Sequence, residues 1–181
     1  MNDVIRGTWV NACFNGDFIC VETNSGYRGG MHVDPKGAQH LLTPDASDES
    51  LGVAVLDALA RSRWVLGAPR DGSTYAPDVE FDSDLYDYKQ TAERYASWIK
   101  ALMERYGYKT KRALFKHMMY CYIENREGVI TIKPSHHAKL EVWGREQDDK
   151  IEDVVIPADS TPAGIGVALR LAFSRCTGLP S

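Results

Sequence analysis

A stretch near the C-terminus of the chain repeats a pattern that is already present near the N-terminus. In each copy a short apolar run leads through a capping residue into an amphipathic helix, over 154–176 in the later copy and 41–61 in the earlier one. When the two helices are aligned, identical residues pair at five positions: Gly52 with Gly166, Val53 with Val167, Ala54 with Ala168, Ala58 with Ala172 and Arg61 with Arg175. Solenoid repeats recur every 20 to 50 residues or so, so this wider spacing indicates two copies of one supersecondary unit.

Four β-rich runs precede the helix in each half. In the first half they lie near 8–14, 18–23, 31–33 and 40–43, and in the second near 119–124, 129–133, 140–143 and 154–156. Asn15-Gly16-Asp17 joins the first two runs, and Asn-Gly is a strong hairpin signal. We therefore predict a single α+β domain over 1–181. It has two similar strand-rich halves (ββββα each, mainly antiparallel), about 6–63 and 118–176, with a long helix between them. Whether the halves share one sheet stays open.

Gly52 and Gly166 stand inside the predicted helices, where a glycine costs roughly 1 kcal/mol relative to alanine. Both lie beside the start of the apolar stripe. One interpretation is a fraying first turn. The other is a close approach of backbones, either helix to sheet or helix to helix across a pseudo-twofold axis.

The composition is that of an ordinary globular protein, with 44% hydrophobic and 25% charged residues. The net charge of −4 argues against a general nucleic-acid binder, which is usually basic. No apolar run approaches the roughly 20 residues that a membrane span needs. Residues 1–7 do not resemble a secretory signal, so we expect a cytoplasmic protein whose four cysteines are reduced and buried.

The connecting segment, residues 64–117, has no counterpart in either half. Between positions 71 and 88 it contains six carboxylates and no lysine or arginine, interleaved with tyrosines and a phenylalanine. A helix over about 88–106 follows, with Gly107 as its C-cap. The acidic part is either a solvated loop that caps this helix or a docking surface for a positively charged partner. In the second case its candidate contacts are Asp78, Glu80, Phe81, Asp82, Asp84, Tyr86, Asp87 and Tyr88.

No enzyme motif is present. The chain lacks GxGxxG, GxxxxGK[ST], GxSxG and HExxH patterns, so we predict no catalytic residues, no cofactor and no metal. His136-His137 is the best metal candidate, but adjacent strand residues point to opposite faces. A basic cluster follows the long helix, and it is either a solvated helix face paired with the acidic segment or a nucleic-acid site. Its members are Arg105, Lys109, Lys111, Arg112 and Lys116.

Several long runs resemble the CdiI-type immunity proteins of bacterial contact-dependent growth inhibition systems. These runs are RGTWVN (6–11), MERYGYKTKRALFK (103–116), EGVITIKPSHH (127–137), and IPADS (156–160) with ALRLAFSRC (168–176). The resemblance covers nearly the whole chain and is weakest over 67–87.

This resemblance implies a cytoplasmic protein that binds and blocks the delivered C-terminal toxin domain of a cognate effector. Such toxins are often nucleases, and we expect an RNase here. The partner would be that toxin domain, with no direct contact to membrane or nucleic acid, and the oligomeric state is left open. The resemblance assigns no contact residues. The hypothesis for the interface therefore rests on the acidic, aromatic segment, and the alternative function is nucleic-acid binding through the basic cluster at 105–116.

Overall fold

The computed structural model describes residues 5–28 and 30–178. Residues 1–4, on which part of the expectation about export rests, and Gly29 lie outside the described residues. The strands are β1 (Gly7–Phe14), β2 (Ile19–Tyr27), β3 (Gly30–Val33), β4 (Gln39–Leu42), β5 (Val65–Leu66), β6 (Glu80–Phe81), β7 (Met119–Arg126), β8 (Val129–Pro134), β9 (His136–Lys139), β10 (Val142–Gly144), β11 (Val154–Pro157) and β12 (Thr177–Gly178). The helices are α1 (Asp48–Ala60), α2 (Ser83–Tyr86), α3 (Tyr88–Tyr106), α4 (Lys111–Phe115) and α5 (Pro162–Arg175).

The two halves share one sheet of seven strands, which answers the question that the sequence left open. Its order is β11-β8-β7-β1-β2-β3, and β4 also pairs with β2. All of these pairings are antiparallel. β1 and β7 lie side by side at the centre, so β2 and β8, and then β4 and β11, take equivalent places on either side. The predicted α+β fold with two similar halves is confirmed, while the residue bounds of the halves stay a prediction.

α1 and α5 pack together on one face of this sheet and form the main core with it. The two glycines allow their close contact. A Cβ at Gly52 would lie 1.7 Å from the carbonyl oxygen of Pro162, and one at Gly166 would lie 1.9 Å from that of Asp48. The two contacts mirror each other, because each glycine meets the residue four positions before the other. The interpretation as a fraying first turn is therefore wrong, and the close approach of helix to helix is confirmed.

Turns and caps follow the local chemistry of the sequence. β1 and β2 form the predicted hairpin through Asn15-Gly16-Asp17, with Cys13 opposite Cys20 in register. β7 and β8 are joined by a two-residue turn in which Glu127 and Gly128 both have positive φ, the geometry that suits the twist of a hairpin. The Ser47 and Thr161 side chains cap α1 and α5 by accepting hydrogen bonds from backbone N–H groups.

The opposite face of the sheet is covered only in part, by α3 and α4. The buried residues of this second layer include Phe18 directly before β2, Ile99 and Leu102 from α3, and Phe115 from α4. The buried apolar residues of α3, Ile99 and Leu102, lie in its C-terminal half. Tyr88 at its start is 88% exposed, and Tyr95 is 42% exposed. The first half of α3 therefore stands beside the sheet without filling the space between them.

Some elements differ from the prediction. The run at 140–143 was predicted as a strand, but Leu140 and Glu141 form a turn between β9 and β10. β9 and β10 belong to a separate three-stranded sheet with β12, so the second half has an additional strand. Neither a strand nor a helix was predicted within residues 64–87. These residues contain the parallel pair β5–β6 and the short helix α2.

Candidate functional site

A groove of about 1140 Å³ lies between the first half of α3 and the incompletely covered face of the sheet. Its floor comes from β2, β4 and β7, and its walls come from α3, from Trp143 on β10, and from the turn after β3. Six carboxylates and only two cationic side chains line it: Glu22, Asp34, Asp82, Asp84, Glu93 and Glu141 against Lys36 and Arg94. An opening of this size with an acidic lining suits a cationic segment of a partner.

A row of polar side chains crosses the sheet at the floor of the groove. Register places Gln39, Glu22, Asn11, Tyr122 and Lys133 directly opposite one another on β4, β2, β1, β7 and β8. Directly opposed residues share a face of the sheet, so this row runs across the side away from α1 and α5. Apolar residues would be expected here if the face were meant to be sealed by a helix.

Glu22 is the central charge of this row and is 7% exposed. The Nε2 of Gln39 donates a hydrogen bond of 2.9 Å to its Oε2. Burial raises the pKa of the Glu22 carboxyl above its usual value, and the bond from Gln39 only partly offsets this. Asn11 next to it donates to Asn24 over 3.1 Å, while its own Oδ1 is buried without a hydrogen-bond partner. A donor or cation from a binding partner would therefore stabilise this floor.

Aromatic side chains form the walls above the floor. Tyr95 and Trp98 of α3 stack with their ring centroids 5.9 Å apart. On the other wall Trp143 stacks on Tyr120 at 5.4 Å and on His137 at 4.6 Å. The Trp143 Nε1 donates to the backbone oxygen of Met118 over 2.8 Å, which fixes the indole. Such rigid aromatic surfaces are favourable for packing apolar or cationic groups.

Glu141 and Tyr95 join the two walls at the rim of the groove. The Tyr95 hydroxyl and the Lys111 Nζ both donate to Glu141 Oε1, each over 3.2 Å. Burial, followed by the charge of Glu141, raises the pKa of Tyr95 well above its ordinary value. The tyrosine therefore remains a neutral hydroxyl, and the α3 wall is tied to the turn before β10.

Three predicted contact residues are engaged in ion pairs within the chain. Asp78 Oδ2 lies 2.7 Å from the Arg6 Nη1. Glu80 and Asp82 both bind the Arg63 guanidinium, over 2.9 and 3.1 Å, and Asp82 also binds the Lys36 Nζ over 2.7 Å. The hydrogen bond from Lys36, aided by Arg63, lowers the pKa of Asp82 to about 2. Of these three carboxylates only Asp82 lines the groove.

Arg63 also holds the acidic segment against the first half of the fold. Its Nε and Nη2 bind the two oxygens of Asp34 over 2.7 and 3.0 Å, and the Asp34 side chain is fully buried. Burial by itself would raise the pKa of Asp34, but hydrogen bonds from Arg63 and from the Ser25 hydroxyl bring it below its usual value. This clamp was not predicted from the sequence, because its parts lie far apart along the chain.

The other predicted contacts fall into two groups. Asp84 lines the groove, accepts a 3.2 Å hydrogen bond from the Gln90 side chain, and is exposed. Phe81 and Tyr88 are 45% and 88% exposed. In contrast, Asp87 caps α3 through the backbone N–H of Gln90, and the Tyr86 hydroxyl donates to the carbonyl of Val65. The cap predicted from the acidic sequence is thus confirmed for Asp87.

Lys111 of the basic cluster forms its ion pair outside the acidic segment, contrary to the interpretation that pairs the cluster with that segment. Lys111 pairs with Glu141, whereas the ion pairs of the acidic segment go to Arg6, Lys36 and Arg63. The Arg105 guanidinium lies over the ring of Tyr106. Thr110 caps α4 by accepting a hydrogen bond from the backbone N–H of Ala113.

The two adjacent histidines have separate surroundings. His137 is 4% exposed and its Nε2 lies 3.1 Å from the Leu140 carbonyl oxygen, while His136 Nδ1 lies 2.8 Å from the Thr177 hydroxyl. Within residues 5–28 and 30–178, no three histidine, cysteine or acidic side chains are arranged to hold a metal ion. In the same part of the chain, no helix is both long and apolar enough to cross a membrane.

Comparison with known proteins identifies the class of protein to which this chain belongs, that of bacterial immunity proteins. The model of the family "CdiI: CDI immunity protein" matches residues 8–176. The chain is also 52% identical over 178 residues to the immunity protein CdiI-YPIII of Yersinia pseudotuberculosis serotype O:3 (strain YPIII). That match spans 98% of this chain and all of the relative. The chain therefore belongs to the CdiI family, as its resemblance implied.

Two solved structures share the fold. One is a CdiA-CT/CdiI toxin and immunity complex from Yersinia pseudotuberculosis, matched with a TM-score of 0.90 and 51% identity over 97% of this chain and 100% of that chain. The other is a protein of unknown function from Neisseria meningitidis, with a TM-score of 0.79 and 37% identity over 94% and 96% of the two chains.

Proposed function

We propose that this chain binds the CdiA-CT toxin domain of its cognate effector and neutralises it in the cytoplasm by protein–protein binding, without catalysis. The acidic groove with aromatic walls is the observation that carries the proposal. Membership of the CdiI family and similarity to a chain of a CdiA-CT/CdiI complex support it. The groove offers buried area from its aromatic walls and attraction from its carboxylates, the two contributions that a tight protein interface combines.

The toxin segment that enters the groove is cationic and partly apolar. Its charge meets Glu22 at the floor and Asp84 and Glu93 at the rim, and its apolar part packs on Trp98 and Trp143. A nuclease has a cationic substrate cleft because it must hold phosphates. We therefore propose that the toxin is a nuclease. It cuts either RNA, as expected from the resemblance, or DNA.

The acidic segment contributes in two ways. Asp84, Phe81 and Tyr88 contact the toxin directly, since their side chains are exposed beside the groove. Asp82, Tyr86 and Asp87 position the segment through Lys36, the carbonyl of Val65 and the first turn of α3. Asp78 and Glu80, bound to Arg6 and Arg63, add to the negative field that attracts the toxin.

The direct test combines this chain with the toxin domain encoded next to it. We expect a stable complex with one copy of each, and protection of cells that express both. Incubating the toxin with RNA and with DNA, with and without this chain, identifies its substrate. Absence of both complex and protection would overturn the proposed function, whereas a toxin without nuclease activity would overturn only the proposal about its chemistry.

The location of the interface is tested by removing charges from α2 and α3. Glu93 and Glu104 are both exposed on α3, but only Glu93 lines the groove. Glu93→Gln together with Asp84→Ser should weaken toxin binding about tenfold or more, with a reduced dependence on salt, because attractive charges are removed. Glu104→Gln should leave the affinity unchanged. Equal effects of the two changes would place the interface elsewhere.

The alternative, nucleic-acid binding through the cluster at 105–116, is tested in the same preparation. Salt-sensitive retention of RNA or DNA by this chain alone, lost in Lys109→Gln/Lys116→Gln, would favour it. We expect no such retention, because the net charge of the chain is −4 and Lys111 already binds Glu141.

A further inference from the structure

The four cysteines, all free thiols, form two facing pairs, one on each side of the sheet. Cys13 and Cys20 face each other across β1 and β2 in the layer covered by α3 and α4. Cys121 belongs to β7 in the main core, and Cys176 follows the last residue of α5. The Sγ atoms of Cys121 and Cys176 are 3.7 Å apart although the residues are 55 positions apart in sequence. None of these contacts has a part in the binding proposed for the groove.

The sulfurs of Cys121 and Cys176 are close enough to form a disulfide after a small movement. A disulfide requires an S–S distance of about 2.05 Å, so the two sulfurs must approach by less than about 2 Å. Cys121 is fully buried on a central strand, but Cys176 is half-buried and lies just beyond the end of a helix. The approach therefore needs movement mainly of the Cys176 side chain, since its backbone N–H donates to the Phe173 carbonyl over 3.1 Å at the end of the helix.

The two thiols also differ in reactivity. The hydrogen bond with the Cys121 thiol lowers the pKa of Cys176 to about 7, against the effect of burial. A large fraction of Cys176 is consequently thiolate at neutral pH, and the thiolate is the form that reacts with oxidants. Burial raises the pKa of Cys121, so that sulfur keeps its proton and can donate it in the hydrogen bond with Cys176 Sγ. One accessible thiolate beside one protected thiol is the arrangement of an attacking and a resolving cysteine.

We propose that Cys121 and Cys176 form an oxidisable dithiol site whose oxidant is a small hydroperoxide such as hydrogen peroxide. The Cys176 thiolate attacks one peroxide oxygen and breaks the O–O bond, giving a sulfenic acid at Cys176 and hydroxide, which takes up a proton to form water. The Cys121 sulfur then attacks Cys176 Sγ and displaces hydroxide, which leaves as water with the Cys121 proton. Two thiols lose two electrons in total, and one peroxide is reduced to two waters.

The disulfide would tie the C-terminal end of α5 to the centre of the sheet. It also lies directly before β12, where Thr177 N donates to the carbonyl of Ser135 and the strand pairs with β9. Cross-linking over a long loop restricts the unfolded chain, so the oxidised protein should unfold at a higher temperature than the reduced one.

Cys13 and Cys20 provide an internal control. They are 3% and 1% exposed, and the hydrogen bond from Cys13, with burial, raises the pKa of Cys20 well above its usual value. Both thiols are therefore shielded from solvent, and Cys20 keeps its proton, so this pair should stay reduced under conditions that oxidise the other pair.

The experiment treats the reduced full-length chain with one equivalent of hydrogen peroxide, quenches with catalase, and maps disulfides by mass spectrometry. We expect a mass loss of two hydrogens, a Cys121–Cys176 cross-linked peptide, and a rise of a few degrees in melting temperature that dithiothreitol reverses. Alkylation of Cys176 by iodoacetamide should have a midpoint near pH 7. Cys176→Ser should abolish the cross-link, and Cys13→Ala should leave it unchanged.

Cys121→Ala supplies a second measurement, in which dimedone should trap the sulfenic acid on Cys176. If that variant does not fold, the peptide map of the unmodified chain still decides. Cross-linking of Cys13 to Cys20 in preference, or oxidation of Cys176 to the sulfonic acid without a cross-link, would overturn the proposal.

Discussion

The two faces of the central sheet are built in opposite ways. The face under α1 and α5 is sealed by apolar residues from both halves of the chain, and its two helices meet through paired glycines. The other face has a polar row around Glu22 and is covered only in part by α3 and α4, which belong to the unrepeated segment. The repeated parts thus form the sheet and its sealed face, whereas the unrepeated segment covers the other face incompletely and forms a wall of the groove. Changes on the sealed face should affect stability, and changes on the groove face should affect binding.

The largest expected effect is at the clamp that joins the two parts. Arg63→Met leaves the buried carboxylate of Asp34 without its cation, removes the ion pair of Glu80, and leaves Asp82 with Lys36 alone. Breaking a buried ion pair from one side costs about 3–5 kcal/mol, so urea unfolding should show a loss of that size. Arg61→Met, two residues away, removes an exposed pair with Asp57 and should cost less than about 1 kcal/mol. Similar losses would mean that the clamp adds nothing to the fold.

Next in size is the contact between the paired glycines. Gly52→Ala or Gly166→Ala pushes a methyl group into a backbone carbonyl of the other helix, so the helices must separate. Overpacking of this kind costs about 1–3 kcal/mol and sometimes more, and we expect the upper end for either change. Gly164→Ala on α5 meets side-chain atoms alone, the nearest being the Thr161 Oγ1 at 3.2 Å, and should remain within about 1 kcal/mol of the parent. A tolerated Gly52→Ala would show that the two helices can shift apart freely.

Glu22→Gln should separate stability from binding. Burial raises the folded-state pKa of Glu22 above the unfolded value of about 4.3, so its ionised form costs stability as pH rises through the folded pKa. The variant should therefore melt at a higher temperature than the parent at pH 7, and the advantage should shrink as pH falls towards about 4. Toxin binding should weaken at the same time. A variant that is more stable and binds equally well would remove Glu22 from the interface.

The smallest effect concerns acid sensitivity at the edge of the groove. Asp82 has a pKa of about 2 in the fold, caused first by Lys36, against about 3.9 in an unfolded chain. Its stabilising contribution is present above about pH 4 and is lost as pH falls towards 2. Asp82→Asn should lower stability at pH 7 by about 1 kcal/mol or less and flatten the decline in that window. Melting curves at pH 7, 4 and 3 would measure this, and an unchanged decline would contradict it.

Local signals explain which parts of the fold were predictable. Asn15-Gly16, the Thr161-Pro162 start of α5 and the Gly107 cap each determine a turn or helix end from neighbouring residues alone. β9 escaped prediction because it is a short strand in a small separate sheet, directly after Pro134 and Ser135. The parallel pair β5–β6 joins residues from opposite ends of a loop, and it leaves no periodic pattern in the sequence.

The groove was harder to anticipate than the elements around it. Glu22, Glu93 and Trp143 come from β2, α3 and β10, and no linear motif connects them. Acidity and aromatic content predicted a docking surface at 78–88. The sequence could not show that Arg6, Arg63 and Lys36 bind carboxylates there. Charge that is visible in a sequence does not reveal which charges are already neutralised by the fold.

Symmetry has a consequence for how a partner can be oriented. The central pair β1–β7 and the helices α1 and α5 are related by an approximate half-turn. A sheet face with only that symmetry would present itself identically after rotation, so that a bound protein would have two equivalent poses. α3 and α4 come from a segment without a second copy, and a rotated partner would meet helix where it had met open sheet. The connecting segment therefore restricts a partner on this nearly symmetric sheet to one orientation.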